Sequence, residues 1–136
     1  MELDEARDFL RDHHRAVLHT YREDGAPQLS PVAVGVDAAG HAVVSTRETA
    51  IKVKNLERDP RASLCVFTDR FFGPWIRIDG DTSIVRLPDA MKPLIDYYRS
   101  VAGEHPDWDD YRRAMESERR VLLRIALTAA GPDVAG

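Results

Sequence analysis

Twelve consecutive residues, Ser45-Thr46-Arg47-Glu48-Thr49-Ala50-Ile51-Lys52-Val53-Lys54-Asn55-Leu56, hold the densest set of anion-binding groups in the chain. Their spacing reads as a strand end, a hydroxyl-rich turn and a helix start. Such a junction leaves backbone N–H groups without intrahelical partners, and the helix dipole adds positive potential there. Ser45, Thr46 and Thr49 supply hydroxyl donors, while Arg47, Lys52 and Lys54 supply charge. The result is a basic patch suited to a phosphate, on a chain whose formal net charge is -4. The plainer reading is that Thr46 caps the helix and the lysines are solvated. Residue chemistry alone leaves both open.

Two further segments carry groups that suit a ligand. In Ala26-Pro27-Gln28-Leu29-Ser30-Pro31-Val32, a strand would put Gln28, Ser30 and Val32 on one face. An amide and a hydroxyl beside aliphatic surface suit the edge of a planar heterocycle. A solvent-facing strand kept at a sheet edge by Pro31 would read the same way. In Trp75-Ile76-Arg77-Ile78-Asp79-Gly80, Trp75 and Arg77 share a face and offer an aromatic plane with a guanidinium. The competing reading puts Trp75 in the core and pairs Arg77 with Asp79.

Other chemistries find no support. His13 and His14 are adjacent, so on a helix they diverge by about 100° and cannot share a metal ion. His19, His41 and His105 lie in separate segments, and the single cysteine, Cys65, sits in the apolar run Leu64–Phe67. No metal site is expected. There is no Gly-x-Ser-x-Gly elbow, glycine-rich phosphate loop or paired-histidine motif. If the protein is an enzyme, a cofactor must carry the reactive chemistry.

The elements that position these residues follow from periodicity. Leu3, Ala6, Phe9 and Leu10 predict a short amphipathic helix. Ala16 to Arg22 and Pro27 to Val36 read as a hairpin turned at Asp24-Gly25. His41 to Ser45 is a third strand, and a helix from about Ala50 stops at Asp59-Pro60. Ala62 to Thr68 and Trp75 to Arg86 are strands separated by a loop from Asp69 to Pro74, with a bend or bulge at Gly80-Asp81. Two helices, Asp89 to Ala102 and Asp107 to Glu118, follow, with Pro93 kinking the first or marking its start. Val121 to Ile125 is the last strand.

These elements predict a mainly β, α+β fold: a six-stranded antiparallel split barrel with inserted helices. A single domain over residues 1–130 is expected, with residues 131–136 as a frayed tail. At 136 residues the chain can bury one core, and 43% hydrophobic with 31% charged residues is ordinary globular composition. The acidic balance argues against a general nucleic-acid binder. No segment approaches the roughly 20 apolar residues of a membrane helix, and the acidic N-terminus lacks a signal-peptide pattern. A cytoplasmic location is expected.

Several stretches, in order, resemble the small coenzyme F420 (deazaflavin)-dependent branch of the pyridoxamine 5'-phosphate oxidase-like split-barrel superfamily. They are Asp24-Gly25-Ala26-Pro27-Gln28-Leu29-Ser30, Ser45 with Lys52-Val53-Lys54-Asn55-Leu56, Asp59-Pro60-Arg61-Ala62-Ser63, and Gly80. Tyr98-Arg99-Ser100-Val101-Ala102-Gly103-Glu104-His105, Trp108-Asp109-Asp110-Tyr111-Arg112 and Arg119-Arg120-Val121-Leu122-Leu123 complete the set.

The resemblance implies an FMN-binding split-barrel-type fold and a homodimer with two cofactor sites along the subunit interface. It places a cofactor phosphate and tail near Ser45, Thr46, Arg47, Ile51, Lys52, Lys54 and Asn55. It places the ring system against Gln28, Ser30, Pro31 and Val32, with Trp75 and Arg77 arriving from the partner chain. The implied reaction is hydride transfer from reduced F420 to an unsaturated small-molecule acceptor, with Arg77 as a substrate contact. The alternatives are an FMN-binding enzyme on the same barrel, or a non-catalytic binder of a cofactor or tetrapyrrole. Two positions depart from the family pattern: Ala50 replaces a basic residue, and Gly73-Pro74 replaces a frequent aromatic.

Overall fold

The computed structural model describes residues 1–132. Its elements run α1 (Leu3–Asp12), β1 (Arg15–Tyr21), β2 (Pro27–Ala33), β3 (Gly35–Val36), β4 (Ala42–Arg47) and α2 (Ile51–Arg58). They continue as β5 (Arg61–Phe67), β6 (Trp75–Val85), α3 (Met91–Ala102), α4 (Trp108–Ser117) and β7 (Arg120–Gly131). All strand pairs are antiparallel, in the order β2-β1-β5-β6-β7-β4-β3.

The sheet has seven strands rather than six because the expected strand from Pro27 to Val36 breaks at Val34. The Val34 N–H donates to the His14 carbonyl (2.8 Å). Beyond it the chain leaves β1 and pairs Gly35 with Val43 of β4. The two outermost strands are therefore consecutive in the chain, and the sheet must curl until its ends meet. β2 and β4 approach one another there without pairing, which is the split in the barrel.

Local chemistry explains the boundaries. Gly25 takes φ +86° in the β1–β2 turn, a conformation that glycine adopts without steric cost. The Asp24 carboxylate accepts from the Ala26 N–H to close that turn. Pro93 lies in the first turn of α3, where an intrahelical N–H is not needed, so it marks a start and causes no kink. The Asp107 side chain caps α4 by accepting from the Asp110 N–H.

Strand β7 runs further than sequence reading expects. It pairs along most of β6, and Gly131 sits opposite Arg77 rather than fraying. Residues 133–136 of the expected tail lie outside the described residues. The bulge anticipated near Gly80 is present: the β6–β7 register shifts between Asp79 and Gly80, leaving Thr128 as the extra residue on β7. A Cβ on Gly80 would lie 2.3 Å from the Ala126 carbonyl oxygen, so only glycine admits this close approach.

Alternation along β4 and β7 divides the apolar residues between two cores. Val44, Val121, Leu123 and Ile125 point into the barrel with Leu18, Leu64, Ile78 and, from α1, Leu10. Val43 and Leu122 point outward under α3 and α4, where Leu94, Ile95, Tyr111 and Met115 cover them. Full burial of each such aliphatic side chain stabilises the fold by roughly 1.5–3 kcal/mol. Among the described residues no helix is long and apolar enough to cross a membrane.

Candidate functional site

The strand–turn–helix junction forms as the sequence predicts, but its hydroxyls do not cap the helix. Ala50 is the N-cap residue of α2, and no side chain caps that end. The first N–H bonded within the helix is that of Val53, which donates to the Ala50 carbonyl (3.0 Å). The N–H groups of Ile51 and Lys52 remain available, at the positive end of the helix dipole. Thr46 faces the barrel interior and is only 5% exposed, while Thr49 is exposed.

Lys52 is half-buried and makes no hydrogen bond or ion pair with the described residues. Burial, with the nearby Arg120 charge adding to it, holds its ammonium pKa below the ordinary lysine value. Two like charges thus act on one another near the open N–H groups, an arrangement that an anion would relieve. Arg120 is steadied by Glu118, which accepts from its Nε and Nη2 (3.1 and 2.8 Å). Arg47 reaches the same carboxylate at 3.3 Å and stands mostly exposed at the rim. The Arg120 hydrogen bond, chiefly, holds the Glu118 pKa below the usual carboxylate value.

The split in the barrel borders this cluster. The Tyr97 hydroxyl donates to the Ala33 carbonyl at the end of β2 (2.8 Å). The Ser45 N–H of β4 faces the same hydroxyl, so α3 braces the gap between the two strands. Burial raises the Tyr97 pKa, while the Ser45 N–H and Arg120 oppose that rise. The Ser45 side chain points to the α3 side, in step with Val43 and away from the barrel interior.

Gln28 and Ser30 lie on the barrel-facing side of β2, opposite Thr20 and Leu18 of β1. Val32, on the same side, packs against the main core. Thr20 accepts from Asn55 Nδ2 (3.1 Å), and both are buried. Asn55 therefore ties α2 to β1, and Lys52 lies one turn earlier on the same side of the helix. Gln28 accepts a hydrogen bond from Arg22 and lies opposite the Thr20 that Asn55 holds.

The remaining sequence-selected residues fall elsewhere. Lys54, two residues from Lys52, is exposed on a different side of α2, and Ile51 is 55% exposed. Pro31 points to the outside of β2 with Leu29. Trp75 and Arg77 lie on the outer sheet face, opposite Phe67 and Cys65 of β5. Arg77 donates to Asp79 (3.1 Å). Within one chain, then, Ser45 and Lys52 share one neighbourhood, while Trp75 and Arg77 belong to a different surface. Beside Trp75, itself exposed, Phe71 and Phe72 are exposed as well.

Sequence reasoning missed Arg120, Glu118 and Tyr97. The β4–β7 pairing that sets Arg120 beside Arg47 joins residues 73 positions apart, and no local pattern records it. The outward alternation Arg120, Leu122, Arg124 was the available signal.

The residues present fit a phosphate-bearing planar cofactor: open N–H groups, an unpaired half-buried lysine and a second cation, next to a polar-edged gap. Comparisons with known proteins bear on the fold and the family. The chain is similar in structure to a conserved hypothetical protein of Mycobacterium tuberculosis, with TM-score 0.76 and 23% identity over 100% of this chain and 93% of that one. It is similar to an F420 reductase, with TM-score 0.71 and 19% identity over 92% and 94% of the two chains. It is also similar to HutZ, the heme storage protein of Vibrio cholerae, with TM-score 0.71 and 18% identity over 96% and 94%. The family profile described as pyridoxamine 5'-phosphate oxidase matches residues 3–131. This chain accordingly belongs to the pyridoxamine 5'-phosphate oxidase family.

Proposed function

We propose that this protein is a homodimeric F420-dependent reductase acting on an unsaturated small-molecule acceptor. The observation that carries the reading is the half-buried Lys52, unpaired beside Arg120 at the uncapped start of α2. In an acidic chain, that cluster is best accounted for by a resident phosphate. The ordered sequence motifs and the similarity to an F420 reductase favour a deazaflavin over other phosphate-bearing groups.

When bound, a reduced deazaflavin would supply hydride chemistry. Lys52, Arg120 and the free N–H groups of α2 hold the phosphate by charge-assisted hydrogen bonds. Gln28 and Ser30 present an amide and a hydroxyl to the edge of the ring system, and Ser45 adds a hydroxyl near the phosphate. Trp75 and Arg77, brought by a second copy, complete the wall and orient the acceptor. The protein's contribution is placement of two reactants and exclusion of water, with no side chain undergoing covalent chemistry.

The test is turnover: mix the protein with reduced F420 and a panel of quinones, tetrapyrroles and other conjugated acceptors, and follow cofactor oxidation. Acceptor-dependent oxidation, absent without protein, is the expected result. Tight cofactor binding with no turnover across the panel would move the protein to a storage or delivery role.

A further inference from the structure

A second cavity, of about 520 Å³, lies between the β3–β4 hairpin, the outer face of β7 and α3. Its size falls within the roughly 300–1,000 Å³ range of small-molecule sites. Val36, Val43, Pro93 and Leu122 give it apolar walls. Tyr97 is the partition: its ring lines this cavity, while its hydroxyl holds the Ala33 carbonyl at the barrel split.

Most polar groups around the cavity are already engaged. One Asp37 oxygen accepts from the N–H groups of Ala39 and His41 (3.0 and 2.9 Å). The other lies 3.2 Å from His41 Nδ1. Asp96 pairs with Lys92 at 3.0 Å. The exception is Arg124, whose Nε is buried without a hydrogen-bond partner. That Nε is ion-paired with the Asp37 carboxylate at 3.5 Å, while the Arg124 terminal nitrogens make no hydrogen bond to any described residue.

Asp37 thus engages only the Nε side of the guanidinium, and the uncommitted terminal nitrogens are donors for an acceptor that an occupant brings. The planar guanidinium fork matches a carboxylate. Asp37 and Asp96 at the same cavity disfavour a doubly charged anion, and the aliphatic walls call for a hydrocarbon body. We propose that this cavity binds a monocarboxylate with an apolar body, its carboxylate on the Arg124 guanidinium and its body against Val43 and Leu122. This site is separate from the cofactor cluster and does not depend on the proposed reaction.

Octanoate, with octanol and octylamine as chain-matched controls, tests it by amide-resolved NMR titration of the full chain. The expected result is saturable shifts at Val36, Val43 and Arg124 with octanoate, and at least tenfold weaker binding of both controls. Arg124→Gln should weaken octanoate at least tenfold. Ala38→Trp, an exposed substitution at the cavity mouth, should block it while the remaining spectrum stays folded. Lys52→Ala should leave octanoate binding unchanged. Octanol binding as well as octanoate, insensitivity to Arg124→Gln, or shifts confined to the α2 cluster would each overturn the assignment.

Discussion

At the scale of single residues, the account turns on Lys52. A charge-assisted contact is worth about 1.5–3 kcal/mol, so Lys52→Ala should weaken cofactor affinity roughly ten- to a hundredfold without unfolding the chain. Unchanged affinity in a titration would remove Lys52 from the site. Binding needs the charged ammonium, and burial holds its pKa below the ordinary lysine value. Affinity should therefore fall as pH rises through that lowered value, earlier than for a solvated lysine, and the alkaline limb should vanish in Lys52→Ala. Ser45, Lys52 and Gln28 were legible because a strand end, a helix start and a period of two are local patterns. Arg120 and Tyr97 were not, because only long-range pairing and helix docking bring them beside those residues.

At the scale of elements, the β6–β7 pair and the α3–α4 pair each hinge on one residue. Gly80→Ala would force a Cβ against the Ala126 carbonyl and the Ile125 side chain. Overpacking of this kind costs about 1–3 kcal/mol, readable as a lower denaturation midpoint at unchanged slope. Tyr111 fastens α4 to α3 by donating its hydroxyl to the Leu94 carbonyl (2.8 Å).

Burial, chiefly, pushes the Tyr111 pKa up to about 12. Since the folded value exceeds the unfolded one, the neutral phenol's contribution is fully present below pH 10 and is lost as pH rises toward about 12. Tyr111→Phe should cost about 1 kcal/mol at neutral pH and flatten the alkaline loss of stability. Helix and strand identities were readable from periodicity. The break at Val34 was not, because the run Pro27–Val36 is locally continuous and tertiary pairing alone divides it. The full length of β7 was missed for a similar reason: the alanine- and glycine-rich run Ala126–Gly131 carries little strand signal until β6 pairs with it.

At the scale of the whole molecule, one chain separates the residues that the proposed reaction would bring together. Phe72 is 92% exposed and stands with Phe71 beside Trp75, on the outer surface that also carries Arg77. Apolar groups gathered in this way mark association surfaces. Light scattering should return a dimer at micromolar concentration. Phe72→Glu should shift it to monomer and weaken cofactor binding together, because the partner's surface would be withdrawn from the site. A monomeric native chain would contradict the dimer. The most direct test of the central claim is a fluorescence titration of the apo-protein with F420 and, separately, with FMN and haem. The account predicts saturable micromolar or tighter binding of F420, with FMN and haem much weaker. FMN or haem binding more tightly than F420, or no binding of any of the three, would contradict it.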